Sequence, residues 1–289
     1  MKMIRSFFDM KASVHKADLG NFGITIPVFN QLAYTINCLD SLKQTGVADS
    51  QIVIVNNGST DGTREFLASR PQIAAIHNPE NRGCGFAWNQ GAQAISATWT
   101  VVMNNDVLVS SGWIEGLLAT GGEGFDVISP AMREGELDYD LPAHAADVTR
   151  RMAAVHRRGV AHGVCFMVHR RVFDALGGFD SDPQLGGYED DEFFRRARKS
   201  GFKLVTAGRA FIHHFGGTTQ KSIRAGFNQP EMQLGDRAYY RKKTGQTWQK
   251  RKWTQLKNQT RSHWWKTTER LRYGHSLHEK RIGGKWLCY

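Results

Sequence analysis

From residue 21 onward, short apolar runs alternate with stretches whose apolar residues recur every three or four positions. Asn21–Pro27 (NFGITIP) is rich in β-branched residues and ends at a proline, which predicts a first strand. Gln31–Gln44 places Leu32, Ile36, Leu39 and Leu42 on one side of a helix. Gln51–Val55 predicts a second strand that runs into the turn-rich NNGSTDGT. The alternation continues with a helix over Thr63–Arg70, a strand over Ile73–His77 and a helix over Phe86–Ala97. A strand over Thr100–Met103 then ends at NND, and Ser110 or Ser111 caps a helix reaching Leu118. Strands alternating with helices at this spacing predict an α/β fold, a mostly parallel sheet flanked by helices. The polar loops after the strands then share the carboxyl edge of the sheet, where open α/β folds bind ligands.

The second half has a different texture. Short strands are predicted at Asp126–Ser129, Gly163–Val168 and Lys203–Thr206, with helices at Arg170–Leu176 and Glu189–Ser200. Residues 133–158 are polar, with few apolar anchors, and are expected to form a loop or helix that shapes an acceptor side. Ala210–His214 leads into GGTT, and from about residue 220 the chain is basic and reads as helical.

Composition adds two things. The 289 residues are 40% hydrophobic and 22% charged, which excludes wholesale disorder. Four scattered cysteines without a C-x-x-C pair argue against a disulfide framework or a cysteine-rich zinc site. The first twenty residues are too charged for a signal peptide, and no run of about 18 apolar residues is present, so the expectation is a cytoplasmic protein. The net charge of +11 is concentrated at one end: Arg241–Tyr289 holds 14 Lys and Arg against two acids, leaving 24 basic and 25 acidic residues before it. Five of the eight tryptophans also lie there: Trp248, Trp253, Trp264, Trp265 and Trp286.

Several polar clusters could carry chemistry, and each has a plainer structural explanation. Asn56, Asn57 and Asp61 could meet a nucleobase or phosphate, or could merely turn the chain and cap a helix. Asn104-Asn105-Asp106 puts a carboxylate at a buried strand end, suited to a divalent cation or to a turn. Asn81–Asn89 (NRGCGFAWN) has Gly83 and Gly85 but Trp88 at the third glycine position of a dinucleotide fingerprint, and so fails it. Glu189-Asp190-Asp191-Glu192 opens a helix, where acids favour the dipole, or one of them serves as a general base. His213 and His214 on an extended chain point opposite ways, so at most one faces a metal.

Each signal is weak alone, but their order is specific. ITIPVFN, IVIVNNGSTDGT, NRGCGFAWNQG, MNNDV, GVCFMV, GGFD, GGYEDDEFFRRARKSG and HHFGG together resemble the inverting family 2 glycosyltransferases of GT-A fold, most of all the rhamnosyltransferase-like branch. The resemblance spans residues 22–219. It implies a GT-A (Rossmann-like) domain over 21–220, with residues 21–110 as the nucleotide-sugar half and 111–220 as the acceptor half. Residues 1–20 would be an N-terminal extension and 221–289 a basic, Trp-rich, helical one.

The resemblance also implies roles. Pro27 and Phe29 would flank the nucleotide, with Asn56, Asn57 and Asp61 in the segment holding base and ribose. The family usually has Asp where Asn56 stands. Asn89 would line the donor site. Asn104 and Asn105 would serve ribose or diphosphate, and Asp106, the one acid of the D-x-D-type motif, would bind Mn²⁺ or Mg²⁺ with His214, His213 being the fallback. Asp190 would be the base, with Glu189 second. The donor would be a UDP-, dTDP- or GDP-sugar and the acceptor a glycan or lipid-linked hydroxyl, as in polysaccharide biosynthesis. Lys and Arg mixed with Trp over 241–289 suit an anionic membrane surface, so the expected enzyme is peripheral on the cytoplasmic face. Two rival readings are a non-catalytic nucleotide-sugar- or carbohydrate-binding protein on this fold, and a nucleic-acid-binding protein acting through the tail. Asp106, Asp190 and His214 together argue against the first, and the near-neutral body argues against the second.

Overall fold

The computed structural model describes residues 21–216, 237–245 and 247–288. The extension over 1–20, Gly217-Thr218-Thr219 and the domain boundary at 220 lie outside the described residues.

The first half follows the apolar pattern closely. Strand β1 (Phe22–Val28) is followed by helix α1 (Leu32–Gln44), β2 (Ile52–Asn57), α2 (Thr63–Ala68), β3 (Ala74–Asn78), α3 (Cys84–Ala94) and β4 (Trp99–Met103). The strands β3-β2-β1-β4 lie side by side and all run parallel. Strands β1, β2 and β4 bury both faces, which is why they read as continuous apolar runs rather than alternations, whereas the edge strand β3 is exposed at Ala74 and Ala75. After the short β5 (Val107–Val109) come α4 (Trp113–Gly122), β6 (Val127–Glu134), α5 (Leu141–Met152), β7 (His156–Arg158), β8 (Cys165–His169), α6 (Arg170–Leu176), α7 (Glu189–Lys199) and β9 (Leu204–His214). The stretch at 133–158 is therefore mainly helix and strand.

Strand β8 enters antiparallel between β4 and β6, so the second half of the sheet is mixed. The period-two alternation divides the core. Val101, Met103, Cys165 and Met167 face α1 and α4 with Leu39, Leu42 and Trp113. Val102, Phe166 and Val168 face the opposite layer with Trp88, Phe179, Phe193 and Phe194.

The C-terminal region is helical over α8 (Arg237–Lys243) and α9 (Trp248–Tyr273) and then returns to the sheet as a hairpin, β10 (His278–Ile282) and β11 (Lys285–Cys288). One edge of β6 is taken by β9 along its length. The other edge is taken by β8 at Val127–Ile128 and by β10 at Met132–Glu134, where β8 has left it. The hairpin is thus a continuation of the central sheet. It had no sequence signature, because HEKRI and KWLC are too charged and too short to read as strands.

Polar contacts fasten it. Leu277 is fully buried with Ala145, Val148, Met152 and Phe211. Glu269, near the end of α9, takes Nε and Nη2 of Arg157 at 2.8 Å each, and Arg157 also donates to Ser276 Oγ. Glu269 is 3% exposed and Arg157 8%. Removing one partner of such a pair leaves a charge in a dry site. Glu269→Ala should therefore lower the unfolding free energy by about 3–5 kcal/mol in a denaturant titration. A loss within the error of the titration would show that the pair does not hold the C-terminal region in place.

Candidate active site

Strand β4 stops at Met103, and the turn after it is pinned from two sides. Asn104 N–H donates to Val164 O (2.9 Å), and Asn105 Nδ2 donates to Thr35 Oγ1 on α1 (3.0 Å). The chain then re-enters the sheet as β5, antiparallel to the end of β9, with Val107 opposite His214. Phe215 N–H donates to Asp106 O (3.0 Å), which locks this register. Next across the sheet, His214 is the parallel partner of Glu134 in β6, and Glu134 is the partner of Lys280 in β10. Four neighbouring strands therefore set Val107, His214, Glu134 and Lys280 in one row, with Asp106 at its head.

The side chains follow the row. Asp106 Oδ1 lies 3.3 Å from His214 Nε2, and Glu134 Oε2 lies 3.7 Å from His214 Nδ1. Lys280 Nζ is 2.5 Å from Glu134 Oε1, and His278 Nε2 is 3.7 Å from Glu134 Oε2. Burial would lower His214, but the carboxylates of Asp106 and Glu134 outweigh it and push the imidazole up to about 9. Burial would raise Glu134, but His214, His278 and Lys280 hold it well below the usual carboxylate range. His213 points the other way: its Nδ1 meets Tyr139 Oη at 2.9 Å, and burial pushes it down to about 4.

The donor set at the head of the row fits a divalent cation. An imidazolium lies between two carboxylates, and its Nδ1 is buried with no hydrogen bond. Carboxylate oxygen with imidazole nitrogen suits Mn²⁺ or Mg²⁺, and a cation there would replace the imidazolium proton as the local positive charge. A second group, His144, His275 and Glu279, also brings its ligand atoms within 4.8 Å of one another. There Arg133 already donates to Glu279 through Nε (2.8 Å) and Nη2 (2.5 Å), and burial with the Arg133 charge pushes His144 down to about 4. That group fastens the hairpin to β6.

The acidic helix start separates into distinct roles. Glu189 Oε2 accepts the Gly187 N–H (2.7 Å), and Glu192 pairs with Arg196 (2.7 Å). Arg196 in turn donates to the carbonyls of Leu176 and Gly178. Asp190 packs against the bare Cα of Gly163: a Cβ there would lie 1.9 Å from Asp190 Oδ2. Burial, then the charges of Asp191 and Glu189, push Asp190 up to about 7. Cys84, at the start of α3, is an exposed residue whose thiol has protein packed around it on one side. This enclosure, with the charges of Glu189, Asp190 and Asp106, pushes the thiol up to about 12. Asp190, Glu189 and Asp106 therefore all lie near enough to Cys84 for their charges to act on its thiol.

A sequence model of glycosyl transferase family 2 matches residues 24–177. The chain belongs to that family. An uncharacterized protein of Mycobacterium tuberculosis (strain ATCC 25618 / H37Rv) is 29% identical over 221 residues, 70% of this chain and 77% of its own length. The putative glycosyltransferase EpsH of Bacillus subtilis (strain 168) is 28% identical over 109 residues, 36% of this chain and 31% of its own. Among solved structures, the mannosyltransferase PcManGT from Pyrobaculum calidifontis, in complex with GDP-Man and Mn²⁺, superposes with a TM-score of 0.52 at 17% identity. That match covers 73% of this chain and 66% of that chain, just under two thirds of its length. The likeness shows the GT-A fold.

In this glycosyltransferase the remaining sequence candidates are engaged with the protein. Asn56 Nδ2 meets His77 Nδ1 (3.1 Å), and its Oδ1 accepts the Ser59 N–H (3.0 Å). Asn57 donates to Asn81 Oδ1 and Gly83 O, and accepts from Asn78 Nδ2 and Arg82 N–H. Both amides shape the loop around the edge. Asp61 accepts the Leu32 N–H (2.9 Å) and the Thr63 hydroxyl (2.6 Å), which joins the starts of α1 and α2. Pro27 and Phe29 are half-buried at the end of β1. Asn89 grips the GGFD loop: its Nδ2 donates to Phe179 O (2.8 Å), and its Oδ1 accepts the Phe179 N–H (2.7 Å).

Sequence reasoning missed Glu134, His162, Gly163, His278 and Lys280. Long-range strand pairing brings Glu134, His278 and Lys280 together, and the loop before β8 carries His162 and Gly163 against Ser129 and Pro130, neither of which leaves a local signal. His162 Nε2 meets Pro130 O (2.8 Å), its ring lies 6.4 Å from that of His278, and burial pushes it down to about 3. Gly163, next to it, packs against Asp190. Asn89→Ala removes both bonds to Phe179 and should cost about 2 kcal/mol. Hydrogen exchange at the Phe179 amide should quicken, whereas unchanged exchange would mean that the loop is held elsewhere.

Proposed function

We propose that this chain is an inverting hexosyltransferase, taking a sugar from a UDP-, dTDP- or GDP-linked donor to a hydroxyl of a glycan or lipid-linked acceptor. The observation that carries the reading is the carboxylate–imidazole pair of Asp106 and His214 at the carboxyl edge of the sheet, with a second carboxyl, Asp190, that burial pushes up to about 7. The order of motifs favours the rhamnosyltransferase-like branch. Residues 21–110 would take the nucleotide-sugar, 111–220 the acceptor and 221–289 form the extension.

Asp106 and His214 would hold the divalent cation, with Asn104 and Asn105 beside them toward ribose or diphosphate. When bound, the cation supplies the positive charge that a departing nucleoside diphosphate needs. Asp190 takes the proton of the acceptor hydroxyl as its oxygen attacks the anomeric carbon. The sugar–phosphate bond breaks on the opposite face, so a single displacement inverts the centre. Glu189, tied to the Gly187 amide, braces the helix start, and its second place as base rests on its position next to Asp190.

The base must be ionised to work, and Asp190 is shifted up to about 7. Turnover should therefore rise about tenfold per pH unit below 7 and level off above it. Asp190→Asn should cut transfer about 10²–10⁴-fold while leaving donor binding in place. Gly163→Ala should give the same pattern, because the new methyl group would lie 1.9 Å from Asp190 Oδ2 and 2.7 Å from its Cβ and so displaces this side chain. Release of nucleoside diphosphate from a donor panel, followed across pH, tests all three. Undiminished transfer by Asp190→Asn would remove the base assignment.

The extension supports a membrane contact on a narrower surface than the whole tail. Trp286 lies on Arg133, and Trp265 on Arg157 and Arg261. Trp253, Leu256, Trp264 and Leu271 are 71, 58, 62 and 81% exposed. Their spacing places them along one face of α9, a helix about 39 Å long, with Lys252 and Lys257 exposed nearby. No described helix is long and apolar enough to cross a membrane. Each basic residue near an anionic bilayer adds about 1 kcal/mol. The full chain should float with phosphatidylglycerol vesicles, and the pair Trp253→Ala with Trp264→Ala should lose that binding. Unchanged flotation would point to a protein partner for this face.

A further inference from the structure

The two nitrogens of His214 face two different carboxylates. Nε2 is turned to Asp106, at 3.3 Å. Nδ1 is turned away from it, to Glu134. A histidine that holds a metal through one nitrogen usually gives its other N–H to a carboxylate, which fixes tautomer and ring orientation. Glu134 has the place for that role. It is in register with His214 on the neighbouring strand, and its own carboxylate is engaged from the far side. There the hairpin brings Lys280 Nζ to 2.5 Å and His278 Nε2 to 3.7 Å. A lysine that close to a carboxylate disfavours it as a direct cation ligand but suits it as a brace.

We propose that Glu134 is the positioning carboxylate of His214 and that Lys280 braces Glu134, so that the C-terminal hairpin is a working part of the cation site. This rests on the reading that Asp106 and His214 hold the divalent cation. It gives the hairpin's attachment a purpose. Arg133–Glu279, the Arg281–Asp138 ion pair and the packing of Leu277 fix β10 against β6, and that pairing carries Lys280 to Glu134.

The test is Mn²⁺ affinity of the full-length chain, by electron paramagnetic resonance of the unbound ion, with thermal melting alongside. Glu134→Leu should weaken Mn²⁺ about 10–100-fold. Glu134→Gln, whose amide oxygen can accept from Nδ1 once the cation orients the ring, should recover most of that loss. Lys280→Met should weaken binding several-fold and Lys280→Arg restore it. Charge alone predicts the opposite for Lys280→Met, since removing a nearby cation favours Mn²⁺. Arg171→Ala, which breaks the ion pair with Asp126 outside the hairpin, should lower the melting temperature and leave Mn²⁺ affinity unchanged.

Three results would overturn the proposal. Glu134→Leu and Glu134→Gln could be equally impaired, which would make Glu134 a source of charge or a ligand. Glu134→Leu could leave affinity unchanged. Lys280→Met could bind Mn²⁺ as well as or better than the parent chain. If instead the parent chain binds no Mn²⁺, or Asp106→Ala leaves binding unchanged, the underlying assignment of Asp106 and His214 fails and this proposal fails with it. Binding lost in Asp106→Ala but intact in both Glu134 variants removes only the role of Glu134.

Discussion

Everything in the candidate centre depends on the register of β9 between β5 and β6. That pairing puts His214 next to Asp106 on one side and Glu134 on the other. A slip of one residue would turn His213 into the cleft and send His214 toward Tyr139. Several contacts oppose the slip. Phe215 N–H holds the Asp106 carbonyl, Ser110 Oγ donates to Phe211 O, and His213 is fully buried against Tyr139. A strand that must bury its whole length can present one residue at its end to a ligand edge with little freedom to move it.

The same sheet reconciles a near-neutral body with a strongly basic end. The hairpin spends its charges on the body: Lys280 on Glu134, and Arg281 on Asp138. Arg157, from the body, meets Glu269 of α9. The N-terminal part of α9 stays exposed, with Trp264 and Leu271 further along the helix. A fold of this kind can place a basic, aromatic surface beside a cleft without letting that charge reach the cleft itself, because water screens exposed charges over about 8–10 Å.

The parts of this fold written in local periodicity were legible. Strands β1, β2 and β4 and helix α1 are apolar runs or apolar stripes, so their existence and order could be read directly. Asp106 and Asp190 stood out only through the order of motifs that resembles the family, since a carboxylate at a strand end or helix start reads locally as a turn or a cap. Three things were not legible. Strand β5 is three residues long. β10 and β11 alternate charged residues with few apolar ones, and only the vacant edge of β6 makes them strands. Glu134 and Lys280 lie 146 residues apart in sequence number, and nothing but strand pairing joins them. Asn57 shows the reverse case: the residue was legible as polar and well placed, but its four hydrogen-bond contacts to the surrounding loop emerge only in three dimensions.

The central claim is that Asp106 and His214 make this edge of the sheet a cation-dependent site for a nucleoside diphosphate. The most direct measurement is thermal unfolding with UDP, dTDP and GDP, each with Mn²⁺ and with EDTA, for the parent chain and Asp106→Ala. A ligand at 100 times its dissociation constant adds about 2.7 kcal/mol of stability, enough to shift the transition clearly. The account predicts a shift for one nucleotide that needs Mn²⁺ and vanishes in Asp106→Ala. A shift equally large with EDTA or in Asp106→Ala, or none with any nucleotide, would contradict it.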